Sequence, residues 1–262
     1  MTPRTLILRT AGTNCDRELG HAFELAGASA QTVHLNRLVC EPGLLEGFDL
    51  IGIPGGFSYG DDIAAGRIFA NRLRHRLLEP LGAAVRRGVP IIGICNGFQV
   101  LVKMGLLPDP DLRCQTATLA DNRSGRFIDR WVRLRVPQDT ACVWFEGLET
   151  FDLPIAHGEG RFVPESDEAL GRWRRRGQVA LQYDGDNPNG SVADIGGICD
   201  SSGQVLGLMP HPERCVHATQ TPDWTSRPRE AGAGPAGLRI FRNAVQHVQQ
   251  AAELSCPGKE GR

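Results

Sequence analysis

The sequence has few of the features that mark several large classes of protein. No apolar run approaches the roughly 20 residues that a membrane-spanning helix needs. No GxxxxGK[S/T] loop is present to cradle the phosphates of a nucleotide. The formal net charge is only −1, whereas a nucleic-acid-binding domain is normally clearly basic. We therefore expect no membrane partner, no nucleic-acid partner and no ATP-dependent step in this chain alone.

The spacing of the cysteines is typical neither of a zinc site nor of a disulfide framework. The chain has eight cysteines, but none form a CxxC pair or a His/Cys cluster with zinc-like spacing. The N-terminal residues lead straight into a strand-like segment without the apolar core of a signal peptide. Cysteines in such a chain do not indicate a disulfide framework. We expect a cytoplasmic chain with reduced thiols and no metal.

The first part of the chain alternates strand-like and helical segments. Apolar, strand-like runs are predicted at residues 6–8, 31–35, 49–53 and 89–94. Helical spacing of apolar residues predicts helices over 16–26 and from about 64 to 87. Strands that alternate with helices indicate βαβ units and a parallel sheet.

Beyond about residue 110 the pattern changes to short strands. These are predicted at 131–136, 179–183 and 192–195, with a further strand just before His211 and a last helix over 237–253. Antiparallel pairing is expected here. The predicted fold is an α/β, three-layer flavodoxin-like sandwich, with a mostly parallel central sheet and additional antiparallel strands in the C-terminal half.

The length of 262 residues fits one domain over 1–262. Three stretches are expected to be irregular. The basic run 173–177 suits a solvated turn better than a binding patch. Residues 221–236, rich in Pro, Gly and Ala, are predicted to be a surface loop, either mobile or in contact with a partner. Residues 254–262 are predicted to be a flexible tail.

The most informative segment is IIGICNGFQ at residues 91–99. An apolar, β-branched run leads into Cys95, which lies between Gly93 and Gly97, and a helix-compatible stretch follows. This is the layout of a nucleophile elbow, in which a strained strand-to-helix turn projects the nucleophile into a cleft. The helix N-terminus behind it favours a thiolate. Cys95 is therefore the predicted nucleophile.

A base and an orienting carboxylate follow a second apolar strand. In GQVLGLMPHPER, residues 203–214, the strand leads to His211, and Glu213 comes two residues later. A cysteine nucleophile needs a base, and the base needs an acceptor that fixes its tautomer. Cys95, His211 and Glu213 supply these three groups, and they predict thiol-dependent amide chemistry.

Several longer strings give the chain a family resemblance. They are GTNCD at 12–16, PGGFSYGDD at 54–62, NRSGRF at 122–127, IAHGEGRF at 155–162 and QYDGDNPNGS at 182–191. With the elbow and PHPE, the sequence resembles the class I (triad) glutamine amidotransferases. Within them it resembles the glutaminase subunits of phosphoribosylformylglycinamidine synthase, over about residues 4–250. Residues 9–12, Arg-Thr-Ala-Gly, depart from the aromatic–proline pair that these subunits usually carry before the glycine.

The resemblance implies a reaction and a set of partners. Members hydrolyse L-glutamine to glutamate and ammonia through a γ-glutamyl thioester. The ammonia goes to a synthetase that converts formylglycinamide ribonucleotide to formylglycinamidine ribonucleotide in purine biosynthesis. No cofactor is expected in this chain, since ATP and Mg²⁺ are used by the partner. A large synthetase subunit and a small bridging subunit are the implied partners.

Further site residues follow from the motif and from the resemblance. The backbone N–H of Asn96, directly after the nucleophile, is a predicted oxyanion donor. The resemblance places the second donor at Gly56. It also implies substrate contacts at Gln99, Ser124, Phe127 and His157, although His157 could equally be a structural histidine. The loop that carries Cys15 is interpreted as structural or interfacial.

Two other functions remain possible at this point. A related α/β thiol hydrolase, such as a peptidase or another amidotransferase, would use the same elbow. A binding or regulatory subunit on an inactive amidotransferase scaffold would be expected to lack Cys95 or His211. Selectivity for glutamine would argue against a peptidase. The presence of Cys95, His211 and Glu213 together argues against an inactive scaffold.

Overall fold

A nine-stranded mixed sheet is the centre of the structure, a computed structural model that describes residues 1–109, 114–226 and 234–255. The strands of this sheet and of a second, two-stranded sheet are β1 (Arg4–Arg9), β2 (Ser29–His34), β3 (Leu50–Ile53), β4 (Ile91–Ile94), β5 (Ala117–Ala120), β6 (Ile128–Arg135), β7 (Thr150–His157), β8 (Arg161–Pro164), β9 (Val179–Tyr183), β10 (Ile195–Cys199) and β11 (Val205–Leu208). The α-helices are α1 (Asp16–Leu25), α2 (Leu35–Cys40), α3 (Arg67–Arg86), α4 (Asn96–Met104), α5 (Asp167–Arg175) and α6 (Ala236–Ser255).

The large sheet consists of a parallel half and an antiparallel half. Its strand order is β2-β1-β3-β4-β11-β10-β9-β6-β7. The first five strands are parallel to their neighbours, and every pairing from β11 outward is antiparallel. The order 2-1-3-4 followed by one more parallel strand is the flavodoxin-like arrangement. The predicted α/β fold, with its antiparallel C-terminal addition, is therefore confirmed.

Helices cover both faces of the parallel half. Gly52 of β3 lies directly beneath Leu19 of α1, whereas Gly93 of β4 lies beneath Leu101 of α4. Gly93 is in register with Ile53, the residue after Gly52. Because neighbouring residues of a strand face opposite sides, α1 and α4 cover opposite faces of the sheet. This gives the three layers expected from the sequence.

Aromatic contacts fix the outer helices. On the α1 face, Phe23 meets Phe241 of α6 edge-on, with ring centroids 5.0 Å apart. On the α4 face, the ring of Phe98 stacks on Phe162 of β8 at 6.1 Å, and Phe162 meets Trp173 of α5. The two-stranded sheet β5–β8 therefore packs against α4, the helix that begins at the elbow, and α5 packs against β8.

The structure corrects two local predictions. Residues 192–194 form a 3₁₀ turn and not a strand, because Ala193 and Asp194 have φ values of 55° and 58°, and β10 begins only at Ile195. The basic run 173–177 is not simply a solvated turn. Trp173 is fully buried in the last turn of α5, while residues 174–176 are exposed.

The predicted loop and tail are described only in part. Residues 221–226 are turn-like and mostly exposed, and 227–233 lie outside the described residues. Residues 254 and 255 belong to α6, and the rest of the predicted tail lies outside the described residues. Within the described residues, no helix combines the length and apolar character needed to cross a membrane.

Candidate active site

Cys95 occupies a strained turn between β4 and α4. Its φ of 52° is unusual for a residue with a side chain, and such backbone strain typically costs about 1–3 kcal/mol. The Cys95 N–H donates to the carbonyl of Leu208 at 2.8 Å, which ties the turn to β11. A Cβ on Gly97 would lie only 1.9 Å from the carbonyl oxygen of Ile53. The glycine at this position therefore allows the elbow to form, as the sequence predicted.

His211 and Glu213 form a buried pair at the end of β11. His211 Nδ1 lies 2.6 Å from Glu213 Oε1, and both side chains are almost completely buried. Burial alone would lower the pKa of His211, but the negative charges of Glu213 and Cys95 raise it to about 10. Nε2 of His211 has no hydrogen-bond partner among the described residues. The imidazole is thus held by Glu213 with its other nitrogen available for proton transfer.

These groups meet at one cavity of about 480 Å³. Of the residues that the sequence singled out, the cavity is lined by Cys95, His211, Gly56, Gln99, Phe127 and His157. Cys15, Asp61, Asn14, Arg214 and Glu159 line it as well. The cavity lies at the carboxyl ends of β3, β4 and β11, where open α/β sheets bind their ligands.

Two backbone N–H groups, that of Gly56 in the cavity lining and that of Asn96 directly after Cys95, are without an acceptor in the described part of the chain. Among the described residues, no hydrogen-bond acceptor takes the N–H of Gly56 or that of Asn96. Gly56 has a φ of 127° and packs so closely on Asn14 that a Cβ would lie 2.8 Å from the Asn14 N. Free donors beside a nucleophile suit an oxyanion, so the predicted donors at Gly56 and Asn96 remain a consistent hypothesis.

The side chain of Asn96 holds the loop that follows Gly56. Its Nδ2 donates to Asp61 Oδ1 at 3.0 Å, and its Oδ1 accepts the N–H of Ser58 at 3.3 Å. Burial raises the pKa of the Asp61 carboxyl. The Glu159 carboxylate accepts the N–H of Ala65 at 3.1 Å, farther along the same loop. The sequence alone did not indicate that Asp61 and Glu159 hold this loop, although both residues lie in the strings that carry the resemblance.

Gln99 lines the cavity one helical turn after Cys95, and its amide already has partners. Gln99 Oε1 accepts from Asn96 Nδ2 at 3.0 Å, and Nε2 donates to the carbonyl of Glu159. Both atoms can make one further hydrogen bond. Its predicted substrate contact stays a prediction, with a second role in holding Asn96.

Of the two residues predicted from NRSGRF, only one lines the cavity. Phe127 lies at its mouth, half-exposed and stacked on Phe57 with ring centroids 6.5 Å apart. Ser124 is exposed, and its Oγ accepts the N–H of Arg126 at 3.3 Å. The predicted substrate contact of Ser124 therefore has less support from the geometry than that of Phe127.

Cys15 is a second thiol at the same cavity. Ligand atoms of Cys15, His211 and Glu213 lie within 4.8 Å of one another, and these three form the cluster among the described residues that is close enough to share a metal ion. Burial, followed by the charge of Glu213, raises the pKa of Cys15 to about 12. Cys15 therefore stays a neutral thiol, which fits a structural role better than nucleophilic attack or metal binding.

Comparison with known proteins places this site in a family. A profile of the CobB/CobQ-like glutamine amidotransferase domain matches residues 2–248. The chain belongs to this glutamine amidotransferase family. Relatives within it include the phosphoribosylformylglycinamidine synthase subunit PurQ of Dehalococcoides mccartyi, which is 45% identical over 94% of this chain and 98% of its own length. The PurQ subunit of Treponema denticola is 43% identical over 82% of this chain and 89% of its own length.

A solved structure gives the same result at the level of the fold. A chain in the structure of PurLQS from Thermotoga maritima superposes with a TM-score of 0.73 and 36% sequence identity. The alignment covers 95% of this chain and all of the other. The resemblance drawn from the strings is therefore confirmed.

Proposed function

We propose that this chain is the glutaminase subunit of a phosphoribosylformylglycinamidine synthase. It hydrolyses L-glutamine to glutamate and ammonia and supplies the ammonia to a synthetase. The observation that carries the proposal is Cys95, held at a φ of 52° in the same cavity as the buried His211–Glu213 pair. Relatives over nearly the whole chain are named as subunits of this synthase.

The triad can perform both halves of the hydrolysis. The Cys95 sulfur attacks the side-chain carbonyl carbon of glutamine after its proton has passed to His211 Nε2. His211 then returns this proton to the nitrogen, the C–N bond breaks and ammonia leaves. Water attacks the resulting γ-glutamyl thioester with His211 as base. The C–S bond breaks, glutamate is released and the Cys95 thiol is regenerated. Glu213 holds the imidazole in the tautomer that both steps require.

The oxyanion that develops in each step needs donors that are already in place. The N–H groups of Gly56 and Asn96 would bind it, and the loss of one such donor typically costs about 10²–10³-fold in rate. Gln99, Phe127, His157 and Ser124 are proposed to contact the substrate, with Ser124 the least supported. One domain would carry the whole reaction, because a single sheet carries both Cys95 and His211.

The ammonia requires an acceptor outside this chain. We propose a large synthetase subunit that uses ATP and Mg²⁺ on formylglycinamide ribonucleotide, together with a small bridging subunit. The similar Thermotoga chain was solved as part of PurLQS, which supports such an assembly. This chain itself would need no cofactor.

The test is release of glutamate from L-glutamine by the full chain, with and without its synthetase partners. Cys95→Ala should abolish release in both cases. Cys142→Ala is the matched control, because Cys142 is also buried but lies outside the catalytic cavity. Absence of Cys95-dependent release, with partners shown to bind, would instead identify a regulatory subunit on an inactive scaffold.

A further inference from the structure

His157, at the end of β7, has its ring fixed by Asn122. Asn122 Nδ2 donates to two backbone carbonyls, those of His157 at 2.8 Å and Arg126 at 2.9 Å. Carbonyls only accept hydrogen bonds, so this sets the orientation of the amide. Asn122 Oδ1 therefore faces His157 Nδ1, at 3.0 Å, and also accepts the N–H of Gly160 at 3.1 Å. The ring hydrogen lies on Nδ1, and Nε2 carries a free lone pair.

That lone pair has no partner in the part of the chain that the structure describes. His157 is 3% exposed, and its Nε2 is buried without a hydrogen-bond partner among the described residues. Burial, followed by the charge of His211, lowers the pKa of His157 to about 4. The ring is thus a neutral acceptor at any ordinary pH. A buried acceptor left unpaired is costly, so a donor supplied by a ligand is the natural explanation.

Ala156, the residue before His157, places a second hydrogen-bond acceptor beside the nucleophile. The carbonyl oxygen of Ala156 lies 3.7 Å from Cys95 Sγ. Ala156 and His157 both line the catalytic cavity. The end of β7 therefore brings two acceptors, the Ala156 carbonyl oxygen and His157 Nε2, to the cavity in which Cys95 lies, whereas the backbone N–H groups of Gly56 and Asn96 are the proposed donors.

This arrangement of donors and acceptors matches a carboxamide. Its oxygen accepts two hydrogen bonds, and its nitrogen carries two hydrogens that need acceptors. A carboxylate has an oxygen where the amide has nitrogen, and two acceptors would repel it. The leaving ammonia has N–H donors, so the same acceptors can hold it after the C–N bond has broken.

We propose that His157 Nε2 and the carbonyl oxygen of Ala156 accept the two hydrogens of the scissile carboxamide nitrogen, which selects glutamine over glutamate. This inference rests on the proposed glutaminase function and assigns His157 a place in it. His157 then contributes to specificity by direct contact with the substrate, while the proton transfers remain with His211.

Two substitutions at the same position separate this role from a structural one. His157→Asn keeps a donor for Asn122 near the position of Nδ1 but removes the acceptor at Nε2. His157→Gln loses the contact with Asn122 but places a carbonyl oxygen near the position of Nε2. Each variant is assayed in the full complex with L-glutamine and with the γ-methyl ester of L-glutamate, whose leaving group has no N–H.

The proposal predicts opposite results for the two variants. His157→Asn should lower kcat/KM for glutamine about 10- to 100-fold, as expected for one lost hydrogen bond to the reacting group, and should change the ester rate much less. His157→Gln should keep the amide-to-ester ratio of the wild type. Glutamate should inhibit His157→Asn more strongly than it inhibits the wild type. His75→Asn, on the exposed surface of α3, is the control for histidine loss.

A structural role predicts the reverse order, with His157→Gln impaired on both substrates and His157→Asn nearly normal. That outcome, or an equal loss on amide and ester in His157→Asn, would overturn the proposal. If the wild-type chain released no more glutamate than Cys95→Ala, the proposed glutaminase function itself would be refuted. Failure of the His157 proposal and failure of the proposed function are therefore distinguishable.

Discussion

The two halves of the sheet each place a buried histidine at the same cavity, and the pKa values of these two histidines are shifted in opposite directions. His211 follows β11 of the parallel half, and Glu213 and Cys95 raise its pKa to about 10. His157 ends β7 of the antiparallel half, and burial, followed by the charge of His211, lowers its pKa to about 4. The charges around each ring therefore set its protonation: His211 lies beside the negative charges of Glu213 and Cys95, whereas His157 lies beside the positive charge of His211 and has a neutral amide oxygen at Nδ1.

This difference divides the reaction between the halves. In the proposed reaction, the parallel half supplies the nucleophile, the proton carrier and the oxyanion donors, all at the ends of its strands. The antiparallel half would supply neutral acceptors, which do not compete for the proton that His211 moves. The comparison can be tested by removing one contribution at a time.

The largest effect is expected from the proton carrier. His211→Asn should lower kcat for glutamate release by about 10⁵-fold, since loss of a triad histidine removes both proton transfers. A steady-state assay with glutamine measures this, with His157→Asn as the matched substitution in the other half. If His211→Asn lowered kcat no more than His157→Asn does, the division of the reaction between the two halves of the sheet would be contradicted.

A large effect on stability is expected at the elbow. Gly97→Ala would place a Cβ 1.9 Å from the Ile53 carbonyl oxygen, a backbone atom that cannot move aside. We expect a loss of at least about 3 kcal/mol in the free energy of unfolding, since overpacking a tight core typically costs about 1–3 kcal/mol even where side chains can adjust. Urea unfolding measures it.

Gly43→Ala is the control for this change, because a Cβ there meets nothing within 4 Å. It should change the free energy of unfolding by less than about 1 kcal/mol. Equal stability of the two variants would mean that the close contact between α4 and β3 is absent.

A moderate effect is expected in the pH dependence of stability, with opposite signs for the two histidines. The raised pKa of His211 stabilises the fold fully below its ordinary value of 6.5, and this contribution is lost as the pH rises from about 6.5 to 10. The lowered pKa of His157 acts in the other direction, since stability is lost as the pH falls from 6.5 towards 4.

Urea midpoints from pH 4 to 10 test this pair of slopes. His211→Asn should flatten the alkaline limb, and it should also flatten part of the acid limb, because the charge of His211 contributes to the lowered pKa of His157. His157→Asn should flatten the acid limb alone. If His211→Asn left the alkaline limb as steep as in the wild type, or His157→Asn left the acid limb as steep, the opposite protonation of the two histidines would be wrong.

The smallest effect is expected at the second thiol. Cys15→Ala should lower glutamate release by less than about tenfold, because a thiol with a pKa near 12 is protonated and does not attack. The assay is the same as for Cys95→Ala. Loss of activity as complete as that of Cys95→Ala would show that Cys15 takes part in the chemistry.

The sequence was sufficient to predict the parallel half because its signals are local. The elbow around Cys95 and the strand before His211 are each formed by consecutive residues. The glycines on either side of Cys95 identify the turn. The βα alternation predicts the parallel pairing of the strands up to β4. These features depend on neighbours in the chain, so one sequence reveals them.

The antiparallel half was less predictable because its signals come from distant residues. Nothing in the run 150–157, which contains Pro154, indicated that β7 ends beside Cys95. The proximity of Cys15 to His211 joins residues that are 196 positions apart in the chain. Residues 192–194 have strand-like composition, yet their positive φ values make a turn. The pairing of Asn122 with His157 requires the fold itself.

The most direct test of the central claim is to label the nucleophile with a glutamine analogue that carries a γ-chloromethyl ketone. The full chain in its complex is treated with the analogue, and peptide mass spectrometry locates the modified thiol. We expect modification of Cys95, prevented by excess glutamine and lost in His211→Asn, with Cys15 unmodified. Modification of Cys15, or modification of Cys95 that glutamine does not prevent, would contradict it.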